Sequence, residues 1–383
     1  MRHTESLDRR PISAALGGLI AIAAAIGVGR FVYTPILPPM MEALRLSKSE
    51  AGLIASANFL GYLLGALAAA LPTLPGSRRG WLFGSLAISA LTTAAMGLTE
   101  SLPAFLVLRF AGGAASAFVL IIASTIVLEH LAEADRSSLS ALHFAGVGIG
   151  IAVSAALVAG MLRADQGWKA LWLASGLLSL AAMIAATMLL PSREPPQRTA
   201  DALAGGTTDR SLPRLVAAYG LFGFGYIITA TFLVAIVRGT PSVAALEPVI
   251  WIVFGLAAAP SVAMWTAVAA ALGIPRALAL ACLIEAAGVL ASVGWRTPVG
   301  VFVAAVLVGA TFMGLTALGL VRARALAQGE PRRALALMTG AFGVGQIVGP
   351  AFAGFLSDQL GSFTLPSMVA AGALLVAALL ARR

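Results

Sequence analysis

Ala145 to Gly160 reads AGVGIGIAVSAALVAG, and Phe342 to Ser357 reads FGVGQIVGPAFAGFLS. Neither stretch carries a charge, and each lies inside a longer apolar run. About 20 such residues, at 1.5 Å rise each, cross the roughly 30 Å of a bilayer's hydrocarbon. The rest of the chain is of the same kind. Over 383 residues it is 60% hydrophobic and 11% charged, with mean hydropathy +0.96. A soluble domain carries about 25% charged residues. With less than half of that, the chain cannot clothe a globular surface, which excludes a soluble enzyme, a nucleic-acid-binding protein and a disordered protein.

Working outward, apolar helices are predicted near 12–36, 50–71, 80–99, 103–128, 138–161 and 169–190, then near 214–237, 247–270, 276–295, 298–321, 333–356 and 363–381. The longest polar stretch, 191–213, mixes proline, glycine and charge, the composition of a linker. The expected fold is an all-α integral membrane protein. Twelve transmembrane helices would form two pseudo-symmetric six-helix bundles, 1–190 and 214–383, joined by 191–213. The polar start MRHTESLDRR precedes a full-length apolar run with no small-residue cleavage site, so the first helix is expected to be retained.

The formal net charge is +9. On the predicted spans, about 17 Lys and Arg fall in loops on the side of the N-terminus and about 6 on the other. That asymmetry places both termini in the cytoplasm and accounts for the basic balance without nucleic acid. The single cysteine, Cys282, forms no intramolecular disulfide and no metal-ligand pattern, and the three histidines, His3, His130 and His143, are scattered. The HExxH, GxSxG, CxxC and phosphate-loop spacings are all missing. No metal, cofactor or enzymatic activity is expected.

The two halves repeat. Gly146 and Gly148 align with Gly343 and Gly345 at an offset of 197, which also brings Gly112 onto Gly309. Gly27-Val28-Gly29-Arg30 matches Gly223-Phe224-Gly225-Tyr226 at 196. Parallel repeats of this kind build the halves of major facilitator transporters.

The residues resemble that superfamily at several points. Arg109-Phe110-Ala111-Gly112-Gly113-Ala114-Ala115 is similar to the RxxxG-type signature of its fourth helix. Gly345-Gln346-Ile347-Val348-Gly349-Pro350 followed by Gly354 resembles the Gly-Pro signature usually discussed for its fifth helix, here in the second half. The loop Leu74–Gly80 keeps Gly76 and the basic pair Arg78-Arg79 of the family's loop motif but has no Asp. Gly27–Met40 and Ala218–Arg238 resemble the bacterial YbfB/YjiJ-like proteins. The resemblance spans essentially the whole chain and implies a monomeric, multi-pass transporter of the bacterial inner membrane.

Charge inside a bilayer costs about 2.5–3.5 kcal/mol on insertion scales, so intramembrane ions are functional candidates. Three fall inside spans: Arg30, Arg109 and Glu285. Arg30 and Arg109 both lie about 9 Å short of the outer ends of their helices, with no acid at that depth in the first half. Two guanidinium forks without a carboxylate suit an anionic group. For Arg109 a second reading is a clamp on backbone carbonyls of helix one; for Arg30 it is snorkelling to the headgroups. Tyr33 and Thr34 share the Arg30 face by helical spacing. Tyr33, Asn58, Tyr62, Tyr226 and Gln346 join the two arginines as candidate solute contacts, with interhelical hydrogen bonding as their other reading. Glu285 and His143 are candidate proton carriers or packed polar groups. Pro35, Pro38 and Pro39 are expected to break helix one at its outer end, and Pro260 and Pro350 to kink helices eight and eleven. Trp251 and Trp265 are expected to be partly interfacial anchors.

The sequence therefore predicts a secondary transporter that moves a small organic solute, an anion first, by alternating access with proton coupling or exchange. Efflux of hydrophobic or cationic compounds is the second reading, and a lipid-modifying membrane enzyme a remote third.

Overall fold

The structure, a computed structural model, describes residues 2–71, 75–191, 211–327 and 331–382. The interior of the predicted linker lies outside the described residues. The first six apolar helices are α1 (Pro11–Leu44), α2 (Lys48–Ala69), α3 (Arg78–Leu98), α4 (Leu102–Glu133), α5 (Ser137–Arg163) and α6 (Trp168–Leu189). The second six are α7 (Leu212–Arg238), α8 (the bent pair Ala244–Ala258 and Ser261–Leu272), α9 (Ile274–Gly294), α10 (Pro298–Leu326), α11 (Arg333–Leu360) and α12 (Thr364–Ala381). Each of the twelve predicted spans falls on one of them. Exposure is inverted relative to a soluble protein. Leu53, Leu60, Leu64 and Leu67 of α2 are all exposed, at helical spacing, and form a stripe suited to lipid.

Helix α1 differs most from expectation. Its prolines do not end it, because Tyr33–Leu44 is helical with Pro38 and Pro39 inside. The irregularity comes earlier, as a π-helical stretch over Ala23–Val28 and a turn that follows it. The cause is Pro35. It sits in the first turn of the outer segment, where a missing N–H is tolerated. The carbonyl four residues before it, on Phe31, therefore loses its usual helical donor. Helix α8 does bend, by 44°, at a break next to Pro260. Ser261 Oγ there donates to the Ala310 carbonyl (2.8 Å) and accepts from the Gly314 amide (2.9 Å), which fixes the bend against α10. Helix α11 runs through Pro350 without interruption.

Trp251 and Trp265 are not interfacial. Both are buried, and Trp265 Nε1 donates to the Ala310 carbonyl at 2.8 Å. The Phe31 carbonyl at the α1 break draws Trp251 inward, and Trp265 takes the Ala310 carbonyl of α10, whose usual helical donor, the Gly314 amide, goes to Ser261 Oγ.

Glycines set the closest helix crossings. An added Cβ on Gly27 would lie 2.5 Å from Gly150 Cα, so α1 and α5 meet backbone to backbone. These contacts also correct the repeat register. Gly150 lies against Ala23 and Gly27 of α1, as Gly345 lies against Gly220 and Phe224 of α7. Gly148 faces Gly255 and Ala259 of α8, as Gly343 faces Leu63 of α2. By role, α5 matches α11 at an offset of 195, not 197.

The two sets of six meet along α2–α11, α5–α8 and α1–α7. Many of these contacts lie toward the side remote from the termini, called here the far side. Asp358 of α11 accepts from the Lys48 and Ser49 amides at 3.0 and 2.8 Å, capping the first turn of α2 from across the interface. Arg238 pairs with Glu42 and, at 3.0 Å, with Glu247. Thr34 Oγ1 donates to the Ala230 carbonyl at 2.8 Å. At the terminal side, Arg78 pairs with Glu129 (2.9 Å) and Arg79 donates to the Thr187 and Pro191 carbonyls at the end of α6. The basic pair of the loop thus ties the first six helices to one another.

Candidate functional site

The break in α1 releases backbone carbonyls in a place without water, where each needs a donor. Arg109 of α4 supplies two. Its Nη1 donates to Gly29 O at 3.0 Å and its Nη2 to Arg30 O at 3.1 Å. Trp251 of α8 supplies a third, Nε1 to Phe31 O at 3.2 Å. Asn58 Nδ2 in turn donates to the carbonyl of Arg109 at 2.9 Å, which binds α2 to α4. The open turn is held from two sides by a guanidinium fork and an indole.

That turn presents the Arg30 side chain. Its guanidinium carbon lies 4.3 Å from the ring centre of Tyr62, 4.5 Å from Phe59 and 5.4 Å from Phe31. At 6% exposure it does not snorkel to headgroups. Its Nε and Nη2 are buried without a hydrogen-bond partner. Stacking on ring faces satisfies the cation in part, while the N–H groups, which lie in the guanidinium plane, stay available to an acceptor.

The second six helices offer a different surface. Gln346 Nε2 donates to Tyr226 Oη, and Gln346 Oε1 is buried without a partner. Tyr226 lies between Phe312 and Phe342, with centroids at 5.6 and 5.9 Å and both rings within 9° of parallel. Phe222 stacks on Tyr226 at 5.1 Å, and Tyr219 lies 4.9 Å from Phe342. Phe31 meets this wall from the first half, edge-on to Phe312 at 5.9 Å. Phe31 thus bridges the two surfaces, with the Arg30 guanidinium 5.4 Å from its ring and Phe312 of the second half edge-on to it.

The predicted site residues divide into three groups. Arg30, Tyr62, Tyr226 and Gln346 come together at the centre. Arg109, Asn58 and Tyr33 are engaged with backbone instead; Tyr33 Oη donates to Ala51 O at 2.8 Å, and its ring lies under Arg109 at 5.0 Å. Tyr33 and Thr34 miss the Arg30 face because the break at 29–32 interrupts the helical spacing that would place them there. Glu285 and His143 lie apart from Arg30. Glu285 accepts from Thr311 Oγ1 at 3.2 Å, next in sequence to Phe312 of the wall. His143 bonds Ser124 Oγ at 3.0 Å and adjoins Gly18 of α1.

Sequence reasoning missed Phe59, Tyr219, Phe312, Phe342 and the holding role of Trp251. One signal was present. The chain has only four tyrosines, Tyr33, Tyr62, Tyr219 and Tyr226, and all four lie within spans. Membrane tyrosines otherwise favour the interfaces.

Comparison with known proteins gives three kinds of match. Residues 22–382 match the family described as "Uncharacterised MFS-type transporter YbfB". A gallate transporter of Pseudomonas putida is 28% identical over 189 residues, 48% of this chain and 42% of that protein. A chloramphenicol resistance protein of Streptomyces lividans is 28% identical over 382 residues, 94% of each. Among solved structures, a mutant of the nucleoside transporter NupG superposes with TM-score 0.74 at 14% identity, over 96% of this chain and 98% of that one. A bacterial homologue of the human lysosomal transporter Spinster, inward-facing and occupied, gives 0.71 at 16% identity over 95% and 94%. These two likenesses show the fold.

Proposed function

The chain belongs to the YbfB family of major facilitator transporters, and from that premise we propose that it carries a small organic anion across the bacterial inner membrane, with Arg30 as the anion's seat. The observation that carries this is the pair of buried, unpartnered N–H groups on Arg30. A cation so far from water is tolerated where an acceptor visits it, and a carboxylate meets such a fork with two parallel hydrogen bonds. The gallate transporter among the relatives agrees with an anionic cargo.

The transport cycle follows from the halves. The bundles 1–190 and 214–383, joined by 191–213, rock against each other around the central site, both termini cytoplasmic and the protein a monomer. The far-side contacts of Asp358 and Arg238 close the outer face in this state. Of the two candidate proton carriers, Glu285 is the one assigned to coupling here, because its partner Thr311 is the neighbour in sequence of Phe312 in the ring wall, while His143 bonds Ser124 within the first half.

The test is a thermal-shift series on purified protein, followed by uptake into liposomes. Ligand at 100 times its dissociation constant adds about 2.7 kcal/mol of stability. Organic acids should shift the melt, Arg30→Ala should abolish the shift and uptake, and Arg30→Lys should weaken both. Full anion uptake by Arg30→Ala would overturn the proposal. The relative that confers chloramphenicol resistance matches along 94% of the chain and supports a second reading, export of an uncharged aromatic compound. It predicts a melt shift by neutral aromatics that survives Arg30→Ala.

A further inference from the structure

We infer that the cargo is a planar aromatic acid bearing a ring hydroxyl, its carboxylate on Arg30 and its ring against the Tyr226–Phe312 wall. This rests on the anion reading and narrows it to one class.

An aliphatic anion would need only the arginine. What the second half sets opposite the arginine is a cluster of stacked rings. Tyr226, Phe312 and Phe342 come from α7, α10 and α11, yet each phenylalanine plane lies 9° from that of Tyr226. Packing of phenylalanines for bulk alone does not demand that three helices hold their rings parallel; edge-on contacts serve equally well. Phe31 carries the apolar surface across to the Arg30 guanidinium, 5.4 Å from its ring. In this state Tyr226, Phe312 and Gln346 are buried and Phe31 touches both Phe312 and the cation, so a flat solute takes its place between cation and rings as the halves part.

The far edge is defined by Gln346 and Tyr226. Gln346 Nε2 donates to the phenol oxygen, which leaves the phenol proton and the buried Gln346 Oε1 both unmatched. With the amide turned over, the phenol would donate to Oε1, and the amide N–H would then lack an acceptor. A hydroxyl both donates and accepts, so it satisfies the pair in either orientation. An ammonium or a second carboxylate satisfies it in one only, and carries a full charge into an apolar wall.

The two edges belong to different halves. Such a solute binds fully only when α1 and α2 approach α7, α10 and α11, so its recognition and the movement of the halves are one event.

The experiment measures dissociation constants on the purified full chain for 4-hydroxybenzoate, 3-hydroxybenzoate, benzoate, cyclohexanecarboxylate and uncharged 4-hydroxybenzyl alcohol. Benzoate should bind about threefold to tenfold more tightly than cyclohexanecarboxylate, from ring stacking. At least one hydroxybenzoate should gain about a further tenfold over benzoate. The alcohol should bind most weakly. Phe312→Leu should bring the benzoate-to-cyclohexanecarboxylate ratio toward one, and Gln346→Leu should erase the hydroxyl preference. If Phe312→Leu does not fold, Phe342→Leu gives the same ratio test. Equal binding of benzoate and cyclohexanecarboxylate by the unaltered protein would overturn the aromatic assignment and leave the anion reading standing. Equal binding of benzoate and both hydroxybenzoates would overturn the hydroxyl assignment. Binding of the alcohol with none of the carboxylates, or no binding at all, would overturn the anion reading with it.

Discussion

Replacing Arg109 by lysine separates a residue that holds the backbone from one that holds the cargo. The charge stays, but the fork is lost. Arg109 spans Gly29 O at 3.0 Å and Arg30 O at 3.1 Å with two nitrogens set by one rigid plane, and a single ammonium serves one carbonyl well. The other is left buried at 4% exposure of its former partner. An orphaned buried polar group costs about 1–3 kcal/mol, while interhelical hydrogen bonds in membranes average about 0.6 kcal/mol. Arg109→Lys should therefore lose about 0.6–3 kcal/mol, and Arg109→Ala, which orphans both carbonyls, up to about twice that. Unfolding in mixed detergent and dodecyl sulfate micelles reads this difference. Arg30→Lys is the control. Its Nε and Nη2 have no partner to lose, so its unfolding free energy without solute should stay near that of the unaltered protein while solute affinity falls. The reverse pattern, an Arg109 variant of full stability that no longer binds and an Arg30 variant that unfolds early, would refute the division of roles.

Three further outcomes follow from the packing. Gly148→Leu places a side chain where even a Cβ lies 2.7 Å from Ala259 Cα; it should wedge α5 from α8 and raise far-side accessibility in cysteine labelling. Asp358→Ala removes the carboxylate that faces the first amides of α2 while the helix's own cap, Ser47, stays, and should lower stability by about 0.3–1 kcal/mol, read as a melt displaced downward. Cysteines at Ser192 and Ser101 should react with impermeant reagent from opposite faces of the membrane; Cys282 is buried and gives little background, and same-side labelling would overturn the orientation.

The fold was legible because the bilayer imposes one length and one polarity on every span, and twelve such spans stand in the chain. The centre was legible where a polar residue interrupts apolar sequence, as at Arg30, Tyr62, Tyr226 and Gln346. It was hidden where the functional residue is itself apolar. Phe312 and Phe342 look like any phenylalanine in a membrane helix, and only their shared plane distinguishes them. Tyr33 was misplaced because helical spacing does not carry across a π-stretch and turn that no local signal but Pro35 announces. Trp251 and Trp265 depart from expectation because indoles favour interfaces on average, whereas here a carbonyl at the α1 break and one within α10 accept from their N–H groups. The repeat offset of 197 came from matching small residues, which are abundant; contact roles, which are not interchangeable, give 195.

The strength of the far-side closure decides whether a small solute can drive the cycle. The ion pairs there are partly exposed, while the Thr34–Ala230 hydrogen bond is buried. The side chains of Arg238 and Glu42 are 31% and 63% accessible, and exposed pairs contribute about 0–1 kcal/mol each. The Thr34 bond adds about 0.6 kcal/mol, and the Asp358 carboxylate at the first turn of α2 about 0.3–1 kcal/mol. The glycine crossings, such as Gly148 on Gly255, bring smooth backbones together without interlocked side chains, a surface that slides rather than unlocks. The closure is then worth a few kcal/mol. Reversing a two-state population from 1:99 to 99:1 takes about 5.5 kcal/mol of differential binding, and a micromolar ligand has about 8 kcal/mol in all. A solute that meets Arg30 in one half and the Tyr226 wall in the other can direct enough of that energy to the relative position of the halves. A solute confined to Arg30 would touch one half only, would bind each state alike and would move nothing.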